Sequence, residues 1–151
     1  MKKVMVFGTF DILHVGHLRF LEEAKKLGGE NAKLTVVISR DSTVRRLRGR
    51  SPIFNEGERK RLIEGLKPVD DAVLGYEGED MLKIVEEKKP DIIVLGYDQR
   101  KDMEKFLEEL RRRGIHAEVH RLPKYGELNS SSIIVKRIIE KAREWGLLDQ
   151  A

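Results

Sequence analysis

The run Val4-Met5-Val6-Phe7, followed at once by Gly8-Thr9-Phe10-Asp11-Ile12-Leu13-His14-Val15-Gly16-His17, decides how this chain is read. A short β-rich stretch stops at a glycine, and two imidazoles follow, three residues apart, around a second glycine. Leu18, Leu21, Ala24 and Leu27 then recur at helical spacing. Strand, tight turn and helix N-terminus in that order make an anion site in an open α/β sheet. Gly8 and Gly16 let backbone approach a ligand closely. The helix start offers free N–H groups and a partial positive charge, and His14 and His17 add two adjustable donors at the phosphates. Two core histidines satisfied by backbone are the plain alternative, and the flanking glycines and Asp11 count against it. A zinc site has no support: the chain lacks cysteine, and His116 and His120 lie far away without ligand spacing.

Outward from this stretch, strand and helix patterns alternate with no repeat, linker or low-complexity segment. Lys3–Phe7 reads as the first strand and Gly16–Leu27 as the first helix, stopped by Gly28-Gly29. Lys33–Ile38 is a second strand, and Ser39–Phe54 a basic loop with at most a helical turn at Ser42–Leu47. Asn55 with Glu58 three residues on forms a helix N-cap pattern, opening a helix to about Leu66. A third strand at Ala72–Tyr76 precedes a helix at Glu79–Lys88, ended by Pro90. Ile92–Leu95 is continuously apolar, as a strand buried on both faces must be. A helix at Asp102–Arg113 leads to Ile115–Leu122, which alternates apolar and polar residues and suits an edge strand; His116 and His120 fall on its wet face. Asn129-Ser130-Ser131-Ser132 supplies cap residues for a last helix through Trp145, whose ring suits packing or a dimer contact. Such alternation implies right-handed crossovers and a doubly wound parallel sheet, with ligands at the carboxyl ends of the strands. The loops Gly8–His17, Gly96–Gln99 and Lys124–Ser132 should then converge, with the basic loop closing over them.

The 151 residues are most simply one domain, 1–151, able to bury a core of its own. No apolar run approaches transmembrane length and no signal-peptide pattern precedes the first strand, so the expected location is the cytoplasm, with no membrane partner. Charged residues make up 37 % of the chain and Asn and Gln are scarce, a profile expected of thermophile proteins that rely on surface ion pairs. The net charge of +4 is concentrated: Thr43 to Arg61 holds seven basic residues against two acidic ones. That placement, beside a phosphate-binding turn, fits a small polyanion and not a nucleic acid, which needs a broad basic face. Arg45, Arg46 and Arg50 read as solvated or steering charge, and Arg111-Arg112-Arg113 as a helix end.

The ten positions from Gly8 to His17 resemble the signature of the nucleotidylyltransferase superfamily (cytidylyltransferase-like), a His-x-x-His after a first strand that ends in a Gly-x-Phe-Asp turn. The resemblance runs from Val4 to the last helix and implies a Rossmann-like, doubly wound parallel sheet of five strands. Two subfamilies compete. Glycerol-3-phosphate cytidylyltransferases carry an arginine and paired threonines in the last loop, where this chain has Lys124-Tyr125-Gly126-Glu127-Leu128-Asn129-Ser130-Ser131. The segments Arg40-Asp41-Ser42-Thr43-Val44, Leu66-Lys67-Pro68-Val69-Asp70, and Pro90 to Gly96 with Asp98-Gln99 look more like the archaeal FAD synthases. A nucleotide-sensing module without transfer activity is a third class, and the intact histidine pair and basic loop argue against it.

The closer resemblance implies transfer of the AMP moiety of ATP to FMN with release of pyrophosphate. The nucleophile is an ionised phosphate, so positioning and charge neutralisation carry the reaction. By resemblance, His14 and His17 bind the ATP phosphates, and His17 stabilises the transition state. Gly8, Thr9, Phe10, Val15 and Gly16 shape the cradle. Arg48 and Arg59 offset charge on pyrophosphate with help from Ser130 and Ser131, while Asp98 and Tyr125 contact the nucleoside. Tyr97 could pack or stack. A divalent cation, Mg²⁺ by expectation, would bridge the phosphates with few protein ligands, Asp11 being the nearest. A homodimer is the expected assembly.

Overall fold

The computed structural model describes residues 1–126 and 130–148. Five strands, β1 (Lys3–Gly8), β2 (Lys33–Ile38), β3 (Asp71–Leu74), β4 (Ile92–Leu95) and β5 (Glu118–Arg121), form one sheet in the order β3-β2-β1-β4-β5. Every pairing is parallel, with Val4 facing Leu34 on one side and Ile92 on the other. The chain builds outward from β1 through β2 to β3, then returns to lay β4 on the opposite flank. The switch point therefore lies between β1 and β4, where an open parallel sheet leaves its ligand crevice.

Alternation along the strands sorts the core into two layers. Val4, Val6, Leu34, Val36, Ile92 and Val94 pack with Leu21 and Ala24 of α1 (Val15–Lys26) and Ile63 of α3 (Glu56–Glu64). Met5, Val37, Ile93 and Leu95 point the other way, to Val85 of α4 (Lys83–Lys88) and to Phe106 and Leu110 of α5 (Met103–Arg112). All four residues of β4 are buried, which is why that segment is uninterruptedly apolar. At the sheet edge, Val119 of β5 meets the second layer while His116 is exposed and His120 pairs with Glu118 at 3.3 Å. The strand is shorter than the alternation implies: His116 precedes it, and His120, within it, is half-buried.

Several boundaries shift for reasons that are not local. The basic segment after β2 is a true helix, α2 (Asp41–Arg48), ended by Gly49 at φ +71°. Its start is held from 15 residues downstream, by Glu56 accepting from the Asp41 N–H at 2.8 Å and from Arg40 at 3.1 Å. α4 begins at Lys83 instead of Glu79, because Asp80 turns away to accept from the Leu82 N–H and pairs with Arg113 at 2.7 Å. α1 starts at Val15, one residue early, and α3 opens on the expected Asn55–Glu58 capping box. α6 (Ser131–Glu144) is capped by Ser130, whose side chain accepts from the Ile133 N–H. Glu127, Leu128 and Asn129, part of the expected last loop, lie outside the described residues. Among the described residues, no helix is long and apolar enough to cross a membrane.

Candidate active site

At the switch point the strand ends open into a cavity of about 360 Å³. Its walls come from the segment after β1, the Gly96–Gln99 loop, Pro123–Tyr125 and the start of α6, with Arg48 at the rim. The loops expected to converge do converge. Gly8, Thr9, Phe10, Asp11, His14, Gly16, His17, Arg48, Asp98, Tyr125, Ser130 and Ser131 all line it.

Phe10 sets the shape of the first wall. Its backbone is left-handed at φ +51°, an uncommon conformation for a bulky residue that only surrounding structure can hold. The turn folds the ring back over Gly8, where an added Cβ would stand 2.5 Å from a ring carbon. Gly8 is therefore small to admit the Phe10 ring, and its backbone also lines the cavity. The buried ring then stands edge-on to His17, with centroids 5.2 Å apart.

The two histidines are joined by more than spacing. His14 is the N-cap of α1, and its Nδ1 accepts from the His17 N–H at 3.3 Å. His17 reciprocates, its Nδ1 accepting from the His14 N–H at 3.3 Å. The rings consequently stack, centroids 3.6 Å apart and planes 22° from parallel. With both Nδ1 atoms committed as acceptors, the neutral tautomer of each ring carries its proton on Nε2. Burial lowers the pKa of both rings, and burial with the neighbouring His14 takes His17 down to about 3. Both are uncharged near neutrality. His14 Nε2 is buried with no hydrogen-bond partner among the described residues, a donor left for something other than these side chains.

Asp11 on the cavity wall and Arg59 behind it hold the turn after β1 in place. The Asp11 carboxylate accepts from the Ile53 N–H at 2.7 Å and the Phe54 N–H at 2.8 Å, so it ties the chain before α3 to the turn after β1. Arg59 is fully buried and does not line the cavity. Its guanidinium donates to the carbonyls of Phe54 (2.9 Å), Thr9 (2.9 Å) and Ser39 (2.8 Å) and to Asp41 (2.6 Å). With its hydrogens engaged in this way it fixes the ends of β1 and β2 to α3. The expected contact of Arg59 with pyrophosphate is corrected to a positioning role. Val15 is the other departure: its side chain is 66 % exposed at the helix start, outside the cavity.

The opposite wall depends on two residues the sequence reading passed over. Gln99 accepts from the Gly96 N–H at 2.8 Å and donates to the Phe7 carbonyl at 2.9 Å, latching the loop after β4 to the end of β1. Arg121, on β5, donates to the carbonyls of Gly96 (2.8 Å), Gln99 and Arg100 (2.7 Å). Gln99 lay in a loop already singled out; nothing in the local pattern marks Arg121. Lys124 lies over the Tyr97 ring at 4.8 Å and Arg19 over Tyr125 at 5.2 Å, two cation–π contacts that place positive charge on this side. The Ser131 hydroxyl accepts from the Ile12 N–H at 3.3 Å, drawing the start of α6 to the turn after β1.

No group of three or more His, Asp or Glu side chains among the described residues could hold a metal ion, and the nearest carboxylate, Asp11, already receives two backbone donors. What the site offers is uncharged N–H donors, a helix N-terminus and the positive charge of Arg48 and Lys124 on its walls. That set suits phosphate oxygens, whose charge it meets without a nucleophile or a strong base.

Comparison with known proteins agrees. The profile of the cytidylyltransferase-like family matches residues 5–138. The FAD synthase of Methanothermobacter thermautotrophicus is 56 % identical over 140 residues, 91 % of each chain. That of Thermoplasma acidophilum is 50 % identical over 141 residues, 93 % of this chain and 96 % of its own. A Thermoplasma volcanium structure described as a lipopolysaccharide core biosynthesis protein superposes with TM-score 0.77 at 50 % identity, covering 83 % of this chain and 99 % of that one. Thermotoga maritima TmcAL, solved with α-thio ATP, shares the fold alone: TM-score 0.69 at 14 % identity, over 97 % of this chain and 52 % of its own. The stacked histidine cap, the switch-point cavity and a match across residues 5–138 lead to one conclusion: this chain belongs to the cytidylyltransferase-like family, together with the archaeal FAD synthases.

Proposed function

We infer that the protein is an FAD synthase, an FMN adenylyltransferase that moves the AMP moiety of ATP to FMN and releases pyrophosphate. The identity of 56 % over 91 % of the chain to a relative of that name carries this reading. An oxygen of the FMN phosphate attacks the α-phosphorus of ATP, the bond from that phosphorus to the β-phosphate bridging oxygen breaks, and pyrophosphate leaves with the electron pair. The nucleophile is already an anion, so the chemistry asks for alignment and for donors to the charge that builds on the transferring group.

The neutral Nε2–H groups of His14 and His17 are those donors, His17 serving the transition state. The N-terminus of α1 adds its dipole, and Arg48 takes the leaving pyrophosphate. Gly8, Thr9, Phe10 and Gly16 form the cradle, Ser130 and Ser131 close it from α6, and Asp98 and Tyr125 meet the nucleoside. A divalent cation, Mg²⁺ in this reading, would come with the ATP phosphates as part of the substrate, and among the described residues no side-chain cluster could hold it.

The same proposal includes a single domain over 1–151, a cytoplasmic location and a homodimer. Supporting the dimer, α6 buries none of its residues and leaves Ile133, Ile138, Ile139 and Trp145 exposed. The test is to offer ATP or CTP against FMN or glycerol 3-phosphate and follow pyrophosphate and the nucleotide product. FAD from ATP and FMN is the expected product; efficient formation of CDP-glycerol would replace this reading with a cytidylyltransferase one.

A further inference from the structure

A second cavity, of about 350 Å³, opens at the same carboxyl edge on the other side of β1. The two cavities share Phe7, Gly8, Thr9, Arg48 and Gln99. They differ in their walls. The first lies against Phe10, Phe20 and the histidine pair, whereas the second reaches into the layer of α4 and α5 and is walled by Val44, Leu47, Met81, Leu82, Leu95 and Phe106. Two of these side chains are poised in an unusual way. Leu47 is 64 % exposed at the rim, next to the cavity arginine Arg48, and Met81 is half-buried although Leu82 beside it is fully packed. Arg100, also on this wall, holds a left-handed backbone at φ +45°, its carbonyl bonded by Arg121 and its guanidinium 5.2 Å from the centre of the Phe106 ring.

We propose that this second cavity receives the isoalloxazine ring of the acceptor, and that Leu47, Met81 and Arg100 determine acceptor specificity. The proposal rests on the FMN adenylyltransferase reading. The acceptor phosphate must stand beside the α-phosphorus, opposite the leaving pyrophosphate, hence at the junction of the two cavities near Thr9, and the remainder of the acceptor must lead away from ATP. The second cavity is continuous with that junction, its size falls in the range of small-molecule sites, and its walls are mostly apolar, with Arg48 at the junction and Arg100 on the far wall. A flat tricycle would cover the exposed Leu47 and Met81, and its dione edge, rich in acceptors, would meet the Arg100 guanidinium. An acceptor such as glycerol phosphate has nothing to offer these walls. Holding Arg100 in a strained conformation through Arg121 has a use if its side chain must be aimed at a ligand.

Leu47→Asn and Met81→Asn test this in the full chain, without adding charge beside Arg48. Steady-state FAD formation gives KM for FMN and for ATP, and riboflavin, which keeps the ring and lacks the phosphate, serves as a competitor against FMN. Each variant is expected to raise KM for FMN and Ki for riboflavin about tenfold or more, with KM for ATP within twofold of the parent. Leu47→Met should restore parental values. Unchanged FMN and riboflavin constants in variants that still make FAD would overturn the assignment of the ring site and leave the reaction intact. Equal losses for ATP and FMN would overturn it too, by placing the cavity with the nucleotide. An unsubstituted chain that forms no FAD would instead overturn the reading on which the proposal stands.

Discussion

Replacing Arg59 decides between a residue that touches the phosphates and one that builds the place where they bind. Arg59→Ala removes a fully buried guanidinium and leaves the Phe54, Thr9 and Ser39 carbonyls and the Asp41 carboxylate without it. Breaking a buried pair by deleting one partner costs about 3–5 kcal/mol. Asp41 keeps 23 % of its side chain exposed and can regain water, which favours the lower half of that range. A domain of this size loses roughly 2–4 °C of Tm per kcal/mol, so a drop on the order of 6–16 °C is expected. That is a large part of the ~5–15 kcal/mol that holds a typical domain together. The assay pairs thermal and urea unfolding with pyrophosphate release, measured well below the new transition. Arg59→Lys, which keeps the charge but loses the fork, should recover less than half of the stability, and KM for ATP should follow the loosened loop. A variant with parental Tm that nevertheless loses turnover a hundredfold or more would refute the positioning role and return Arg59 to the phosphates.

His17→Ala should lower turnover by about 10²–10³, the cost of removing one preorganised donor to a transition-state oxyanion, with far-UV circular dichroism reporting an intact fold. Because the folded His17 has its pKa depressed to about 3, the native state binds fewer protons than the unfolded one between that value and 6.5. Its contribution to stability is complete above pH 6.5 and falls as the pH drops toward 3; NMR titration of the ring near 6.5 would contradict this. Arg48→Ala should weaken ATP turnover more than Arg50→Ala, since only Arg48 lines the cavity, and the difference should survive moderate salt. Gly8→Ala should destabilise by about 1–3 kcal/mol in denaturant unfolding through the clash with Phe10, and a neutral result would mean that the ring moves freely.

The sheet was legible because its determinants are local. Ile92–Leu95 is apolar at every position, and the stretch from Val4 to His17 contains its own strand end, turn and cap. The same locality explains what was missed. α2 looks like a loop because its start is held by Glu56, and the Arg59 hub cannot be seen from a sequence in which its acceptors are backbone carbonyls 5, 20 and 50 positions away. Arg121 escapes for the same reason, being one polar residue on an alternating edge strand whose partners are again carbonyls. Glycine before a phosphate turn invites the reading of ligand approach at Gly8; that it also spares the Phe10 ring, two residues on, is not visible in the pattern.

The reciprocal cap makes His14 and His17 a single unit in any mutational ledger. Each ring accepts the other residue's peptide N–H and leans on the other's face, and His14 helps to depress the pKa of His17. Deleting His14 therefore also loosens the His17 ring and eases its protonation, and deleting His17 uncaps His14. The losses from the two single substitutions should overlap, so that the double variant falls short of their product by a tenfold or greater factor. The two Nδ1 atoms make the helix cap and leave the two Nε2 atoms facing the site, so neither ring can be altered without disturbing the helix terminus.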